Sequence, residues 1–89
     1  MYPKQAAESL SDVLAKELSA RRLSKGLSKN ETAARSGLAV SFVFDLENGK
    51  RRASVETLVK LAWVFETSAS EILAKCEQEI NYLSSKDSR

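Results

Sequence analysis

The amino-acid sequence predicts an all-α domain built from five helices. Apolar residues recur every three or four positions, which is the spacing of a helix, and helix start and stop signals follow one another along the chain. Only three glycines and one proline occur among 89 residues, so the turn signals that bound short strands are scarce. A chain of this length forms one domain with a modest core.

The first helix is predicted over residues 9–25. Three leucines spaced four residues apart mark its buried side: Leu10, Leu14 and Leu18. Gly26 follows as a stop signal. A second helix begins after Ser28, because Ser28 and Glu31 have the spacing of a capping box, in which the serine side chain and the glutamate satisfy each other's backbone N–H groups. It ends at Gly37.

Three further helices follow. The third covers residues 40–47, and Gly49 ends it, so residues 50–53 form a basic loop. Ser54 caps the fourth helix, whose predicted inward face is apolar: Val55, Leu58, Leu61, Ala62 and Phe65. A second capping box at residues 68–71 opens the fifth helix, which carries its own apolar stripe: Ile72, Leu73, Cys76, Ile80 and Leu83. We expect residues 1–8 to be an N-terminal extension and residues 84–89 a flexible tail.

Positive charge is concentrated in the middle of the chain. Residues 21–52 contain eight cations and three anions, a net charge of +5, whereas the preceding segment carries −1 and the following one −2. This distribution favours one surface that binds a polyanion. The alternative from charge alone is a solvated charged face.

Several classes of function are disfavoured. The sequence has no histidine, no glycine-rich phosphate loop and no metal-ligand spacing, and its single cysteine lies on an apolar stripe. We therefore expect neither an enzyme nor a cofactor or metal. One cysteine cannot form an intramolecular disulfide, and the sequence shows neither a signal peptide nor a membrane-spanning run. We expect a cytoplasmic protein with no membrane partner.

The second and third helices have the spacing of a helix-turn-helix. Ala33 is small, Gly37 permits a tight turn, and Val43 and Leu46 face inward, so the two helices can cross closely. The N-terminal half of the second of these helices is then available to enter a DNA major groove.

At these positions the sequence resembles the Cro/CI-type (XRE) helix-turn-helix family of phage repressors and small bacterial regulators, including restriction–modification controller proteins. The resemblance covers about residues 14–73. Its motifs are the segments 26–28 (GLS), 36–38 (SGL), 46–50 (LENGK) and 54–73, together with Ala34. It implies a five-helix lambda-repressor-like domain with an extended C-terminal helix.

The resemblance also implies roles for individual residues. Arg22 and Glu47 occupy the places of a buried ion pair that joins the first and third helices. Lys29 stands where the family has a glutamine that touches phosphate. The base-reading face comprises Ala39, Val40, Ser41, Phe44 and Asp45. The loop that approaches the DNA backbone carries Lys50, Arg51 and Arg52.

The reading face departs from the family pattern, because Val40 and Phe44 cannot form hydrogen bonds with a base edge. Three interpretations of Phe44 are open: it folds back as partial core, it contacts a thymine methyl group with help from DNA shape, or it binds a protein. Asp45 either accepts a hydrogen bond from cytosine or orients Arg51 or Arg52.

Two apolar features suggest a homodimer. The stripe on the fifth helix continues about ten residues past a complete core, and Val59 and Trp63 form another pair four residues apart. The predicted interface comprises Val59, Trp63, Cys76, Ile80 and Leu83. The alternative is that the last helix packs over its own domain.

The sequence as a whole favours a homodimeric, sequence-specific DNA-binding transcriptional regulator, such as a repressor, on a palindromic operator. The alternative is an antitoxin-like or adaptor protein whose apolar patches bind a protein partner such as a toxin, with weak or no base readout.

Overall fold

A computed structural model describes the backbone of residues 4–87 and the side chains of residues 10–83 and 85. Within these residues the chain forms five α-helices and no strand, which confirms the predicted all-α fold. The helices are α1 (Lys4–Ser24), α2 (Lys29–Ser36), α3 (Val40–Glu47), α4 (Val55–Val64) and α5 (Ala69–Asp87).

The two outer helices are longer than predicted. Helix α1 begins at Lys4, within the predicted N-terminal extension of residues 1–8, and α5 continues to Asp87, within the predicted tail of residues 84–89. The rest of those two segments, residues 1–3 and 88–89, lies outside the described residues. The three central helices begin within about a residue of the predicted positions, and α2 and α3 also end there.

The capping box before α2 is complete, whereas that before α5 forms differently. The Ser28 hydroxyl accepts a hydrogen bond from the Glu31 N–H (3.0 Å), and the Glu31 carboxylate accepts one from the Ser28 N–H (2.9 Å). Before α5, the Ser68 hydroxyl accepts from the Glu71 N–H (3.1 Å), but the Glu71 carboxylate accepts from the Thr67 hydroxyl (2.6 Å). Both arrangements satisfy donors that a helix start leaves free.

The core lies between the long outer helices and the three short ones. Helix α1 packs against α5 and α3, while α2 packs against α3 and α4, and α4 against α5. The largest fully buried side chains come from all five helices: Leu18, Thr32, Val43, Leu61 and Ile72. The hydroxyl of Thr32 donates to the Ser28 carbonyl (2.9 Å), so its burial leaves no polar atom unpaired.

Three residues predicted to lie on inward apolar stripes are exposed instead. Val55 is 77% exposed, and Leu10 and Leu73 are each 44% exposed, although Leu58, Leu61, Ala62, Phe65 and Ile72 are buried as predicted. An apolar residue at helical spacing is therefore buried only where another element reaches it.

The predicted dimer interface is wrong for Cys76 and Ile80. These side chains are buried within a single chain, at 3% and 8% exposure, because α5 lies along α1. Leu83 is half-buried at a groove between the same two helices. The last helix thus covers its own domain, which was the alternative interpretation. Val59 (54%) and Trp63 (83%) do remain exposed.

Across the described part of the chain, no helix combines the length and the hydrophobicity needed to cross a membrane.

Candidate nucleic-acid interface

A tight turn joins α2 to α3. Gly37 ends α2 in the left-handed conformation (φ 77°), and its N–H donates to the Ala33 carbonyl (2.9 Å). A side chain at this φ would strain the backbone, which explains the glycine. Ala33, Val43 and Leu46 are each 2% exposed, so their side chains seal the contact between the helices and the domain core. The opposite side of α3 faces solvent.

The solvent-facing side of α3 is partly apolar. Val40 and Phe44 lie one helical turn apart and are 42% and 41% exposed, and Ser41 is exposed beside them. Ala39 is exposed at the N-cap and provides no side-chain hydrogen bond to the helix. Asp45 is half-buried at the other edge of this face. These are the five residues predicted to form the reading face, and they lie together.

A lysine from α2 covers part of the Phe44 ring. The Lys29 ammonium nitrogen stands 4.4 Å from the ring centroid, well within the distance at which a cation is attracted to an aromatic face. Phe44 is therefore neither core nor a bare apolar surface. This contact has no sequence signal, because 15 positions separate the two residues and only the crossing of α2 and α3 brings them together.

The start of the basic loop is fixed by the backbone at the end of α3. Gly49 adopts the left-handed conformation (φ 72°), and the Lys50 N–H donates to the Asp45 carbonyl (2.8 Å). A β-carbon at Gly49 would lie 2.5 Å from the Asp12 Oδ1 atom of α1. Glycine is thus favoured here by the backbone conformation, whereas the Asp12 side chain could rotate away from an added β-carbon.

The three cations of the loop differ in their contacts. Arg51 forms an ion pair with Asp45 (3.6 Å between Nε and Oδ2), and its guanidinium carbon lies 5.7 Å from the Phe42 ring centroid. Asp45 therefore orients Arg51, which was one of its two predicted roles. Lys50 and Arg52 are exposed and form no ion pair within the described residues. Their charges remain available to an external anion.

Arg22 and Glu47 fix α3 to the rest of the domain. The guanidinium contacts both carboxylate oxygens, at 2.7 and 3.0 Å, and also donates to the Leu27 carbonyl (2.8 Å). The Ser19 hydroxyl donates to the same carboxylate (2.6 Å). This is the ion pair that the resemblance implies, and it links α1, the loop before α2, and the end of α3.

The start of α2 offers both charge and N–H donors. The capping box occupies the Glu31 N–H and the Ser28 N–H, whereas the first two N–H groups of the helix, those of Lys29 and Asn30, have no acceptor one turn earlier within the helix. The hydrogen bond from Ser28 holds the pKa of Glu31 below its ordinary value. Its carboxylate thus stays ionised near Lys29.

A second surface, separate from the reading face, was only partly anticipated. Val55, Val59 and Trp63 lie one turn apart on α4 and are all more than half exposed, which makes an apolar stripe. Beside it, a shallow groove of about 250 Å³ lies between α2 and α4 and is lined by Arg35, Ser36, Val59, Lys60 and Trp63. We call the stripe and the groove together the α4 surface. Arg35 could not be placed there from sequence, because it belongs to α2.

No group of three or more metal-binding side chains occurs within the described residues.

The fold and this arrangement define a helix-turn-helix domain. A model of the helix-turn-helix family HTH_3 matches residues 18–72, more than half of the chain. The chain therefore belongs to this XRE-type family of helix-turn-helix transcriptional regulators, which are not enzymes.

A curated relative supports the same assignment. The chain is 35% identical over 57 residues to an uncharacterised HTH-type transcriptional regulator, y4dJ, of Sinorhizobium fredii. The match spans 64% of this chain and 74% of the relative. The matched segment therefore covers most of both proteins, as a shared domain would.

Solved structures show the same fold. The clp gene regulator ClgR of Corynebacterium glutamicum superposes with a TM-score of 0.78 over 89% of this chain and 84% of that one, at 22% identity. An HTH_3 family transcriptional regulator from Vibrio cholerae gives 0.70 at 30% identity, over 85% of this chain but 41% of its own. A mutant of the restriction–modification controller protein C.Esp1396I gives 0.71 at 21% identity, over 80% and 95%.

Proposed function

We propose that this protein is a sequence-specific DNA-binding transcriptional regulator that acts in the cytoplasm as a homodimer on a palindromic operator. The observation that carries the proposal is the exposed face of α3, which has a cation at each edge. Lys29 lies at the Phe44 edge and Arg51 at the Asp45 edge. An exposed helix between two cations matches a major groove between two phosphate backbones.

Phosphate contacts supply much of the affinity in this proposal. Lys29, Lys50, Arg51 and Arg52 bring four positive charges against the two carboxylates of Glu31 and Asp45, a local net charge of +2. Each neutralised phosphate releases counterions, so binding falls as the salt concentration rises. The direct reading of bases falls to Ser41 through hydrogen bonds and to Ala39 and Val40 through apolar contact.

The homodimer in this proposal forms through the α4 surface. Val59 and Trp63 both line a groove of their own chain, and the Trp63 side chain is 83% exposed. In a two-fold arrangement a projecting side chain and a neighbouring groove can complement each other twice, which is the requirement for a self-complementary interface. Exposed aromatic side chains are also enriched at such interfaces.

The test is selection from random duplex DNA, followed by binding of the enriched sequence and of a scrambled duplex at two salt concentrations. We expect a palindrome and a specificity ratio of roughly 10³ or more. Arg52→Ala serves as a charge control and should weaken binding to both duplexes and flatten the salt dependence. Failure to enrich any sequence would contradict the proposal.

A second candidate function is that of an antitoxin-like or adaptor protein that binds another protein. The exposed stripe of Val55, Val59 and Trp63 supports it, because such a stripe also fits the apolar face of a partner. The same selection separates the two candidates. Weak, salt-sensitive binding without sequence enrichment would favour the adaptor, whereas an enriched palindrome would favour the regulator.

A further inference from the structure

We infer that Phe44 is a positioning residue: its ring holds the Lys29 ammonium group at the edge of α3, so that Phe44 acts on DNA through Lys29 and a phosphate rather than by reading a base. This inference rests on the proposed function, since it assigns a role within the same interface. It also differs from the thymine-methyl contact that the sequence suggests for Phe44.

The geometry joins the two helices of the motif. Lys29 is the first residue of α2 and Phe44 lies in the middle of α3, and the ammonium nitrogen stands 4.4 Å from the ring centroid. Lys29 is half-buried and forms no ion pair within the described residues. The nearby Glu31 carboxylate accepts the Ser28 N–H instead. The aromatic ring is therefore the contact that restrains the lysine.

The restraint has a consequence for binding. A free lysine side chain must give up many rotamers when it grips a phosphate, whereas one that is already placed gives up fewer. An exposed cation–aromatic contact corresponds to about a two- to fivefold effect on an equilibrium constant. Because a phosphate carries no base identity, the effect should be the same for every duplex.

The neighbouring residues support a positioning role for Phe44 and a base-contacting role for Val40. Val40 has almost the same exposure as Phe44, on the same side of α3, but holds no cation. Val40 can therefore contact a thymine methyl group with its whole exposed surface. At the other edge of α3, Arg51 lies 5.7 Å from the Phe42 ring. An aromatic ring thus stands beside a cation at both edges of the reading face.

The first part of the test is made on the free protein. A proton held over an aromatic face experiences a ring current, so the ε-methylene protons of Lys29 should resonate upfield of those of the other lysines. Phe44→Leu should abolish this shift, and Phe44→Tyr, which keeps the ring, should retain it. An unshifted Lys29 in the wild-type protein would overturn the inference.

The second part is a double-mutant cycle on DNA with Phe44→Leu, Lys29→Gln and the double variant, using the selected duplex and single-base substitutions of it. We expect Phe44→Leu to weaken every duplex by the same factor, about two- to fivefold, and to have little further effect in the Lys29→Gln background. Val40→Ala provides the contrast: it should change the preferred base and remain additive with Lys29→Gln.

The outcomes separate this inference from the proposed function. If Phe44→Leu changes base preference and does so equally in the Lys29→Gln background, Phe44 reads a base; the inference is then overturned while DNA recognition stands. If the wild-type protein prefers no duplex, the proposed function fails and the role assigned to Phe44 fails with it, even if the ring-current shift is present.

Discussion

At the scale of single residues, the buried ion pair of Arg22 and Glu47 joins the end of α3 to α1. The Glu47 side chain is only 4% exposed, and the carboxylate receives three hydrogen bonds, two from Arg22 and one from Ser19. Such a pair is costly to desolvate, so its net contribution to folding is small. The loss of one partner, in contrast, is strongly destabilising, because it leaves the other charge buried and unpaired.

We predict that Arg22→Met lowers the free energy of unfolding by about 3–5 kcal/mol, because it leaves a buried carboxylate with the Ser19 hydroxyl as its remaining side-chain donor. The Leu27 carbonyl also loses its donor. Urea denaturation at low temperature measures the loss. The control is the double variant Arg22→Met/Glu47→Leu, which removes both charges and should recover most of the stability. A single variant within about 1 kcal/mol of wild type would contradict the prediction.

A second prediction concerns Glu31 and acid. Its pKa is lowered in the folded protein by the hydrogen bond from the Ser28 N–H. A lowered folded pKa means that the stabilising contribution is present above the unfolded pKa, 4.5, and is lost as the pH falls through the folded value. We expect the difference in Tm between wild type and Glu31→Gln to shrink as the pH falls below 4.5. A difference that stays constant from pH 7 to pH 3 would exclude this linkage.

The residues of the interface differ in how far sequence could predict them. Helical spacing and the resemblance placed Val40, Ser41 and the loop cations on one surface, because those positions depend on α3 and the loop alone. The Lys29–Phe44 contact depends on the angle between two helices and on side-chain rotamers. Neither quantity has a local sequence signal, so the contact required the structure.

At the scale of the helices, α5 shows the limit of an apolar pattern. The stripe that includes Cys76 and Ile80 correctly predicts that something covers this side of the helix. It does not specify whether the cover is another helix of the same chain or a second copy, since both remove the same apolar surface from water. Helix α1 packs against α5, and its Val13 and Leu14 pack against the core cluster that includes Cys76.

The burial of Cys76 leads to a prediction. Its side chain lies in the core, and burial raises the pKa of its thiol above the ordinary value, so the reactive thiolate is scarce at neutral pH. We expect a thiol reagent to modify Cys76 slowly in the native protein and rapidly in denaturant. The rate should not change on dilution, because α1 rather than a partner covers the residue. If modification is faster at low protein concentration, a partner chain covers Cys76, and the residue belongs to the dimer interface after all.

The ends of the helices also differ in how well sequence specifies them. The glycines at the ends of α2 and α3 are recognisable stop signals, and both adopt the left-handed conformation. Helix α4 ends without one: Glu66 takes the left-handed conformation (φ 58°) there, and its carboxylate pairs with Lys25 of the loop after α1 (2.7 Å). A tertiary contact thus accompanies a turn that the local residue types do not predict.

At the scale of the whole molecule, the domain presents two surfaces with different chemistry. The reading face lies between the cations of Lys29 and of the basic loop, whereas the α4 surface is largely apolar and includes Trp63. A small domain with a modest core gains from covering such an apolar surface. A homodimer would cover it and present two copies of the reading face to the two halves of a palindrome.

We predict that Trp63→Ala weakens dimerisation by about 2 kcal/mol or more, roughly 30-fold in the dissociation constant. It should leave the monomer folded, because the side chain is 83% exposed. Sedimentation equilibrium measures the association, and circular dichroism checks the helices. Tyr82→Ala is the matched control, since Tyr82 is an aromatic residue of α5 that is 60% exposed. If Tyr82→Ala dissociates the dimer while Trp63→Ala does not, the interface lies at the end of α5 and the α4 surface remains free for a different partner.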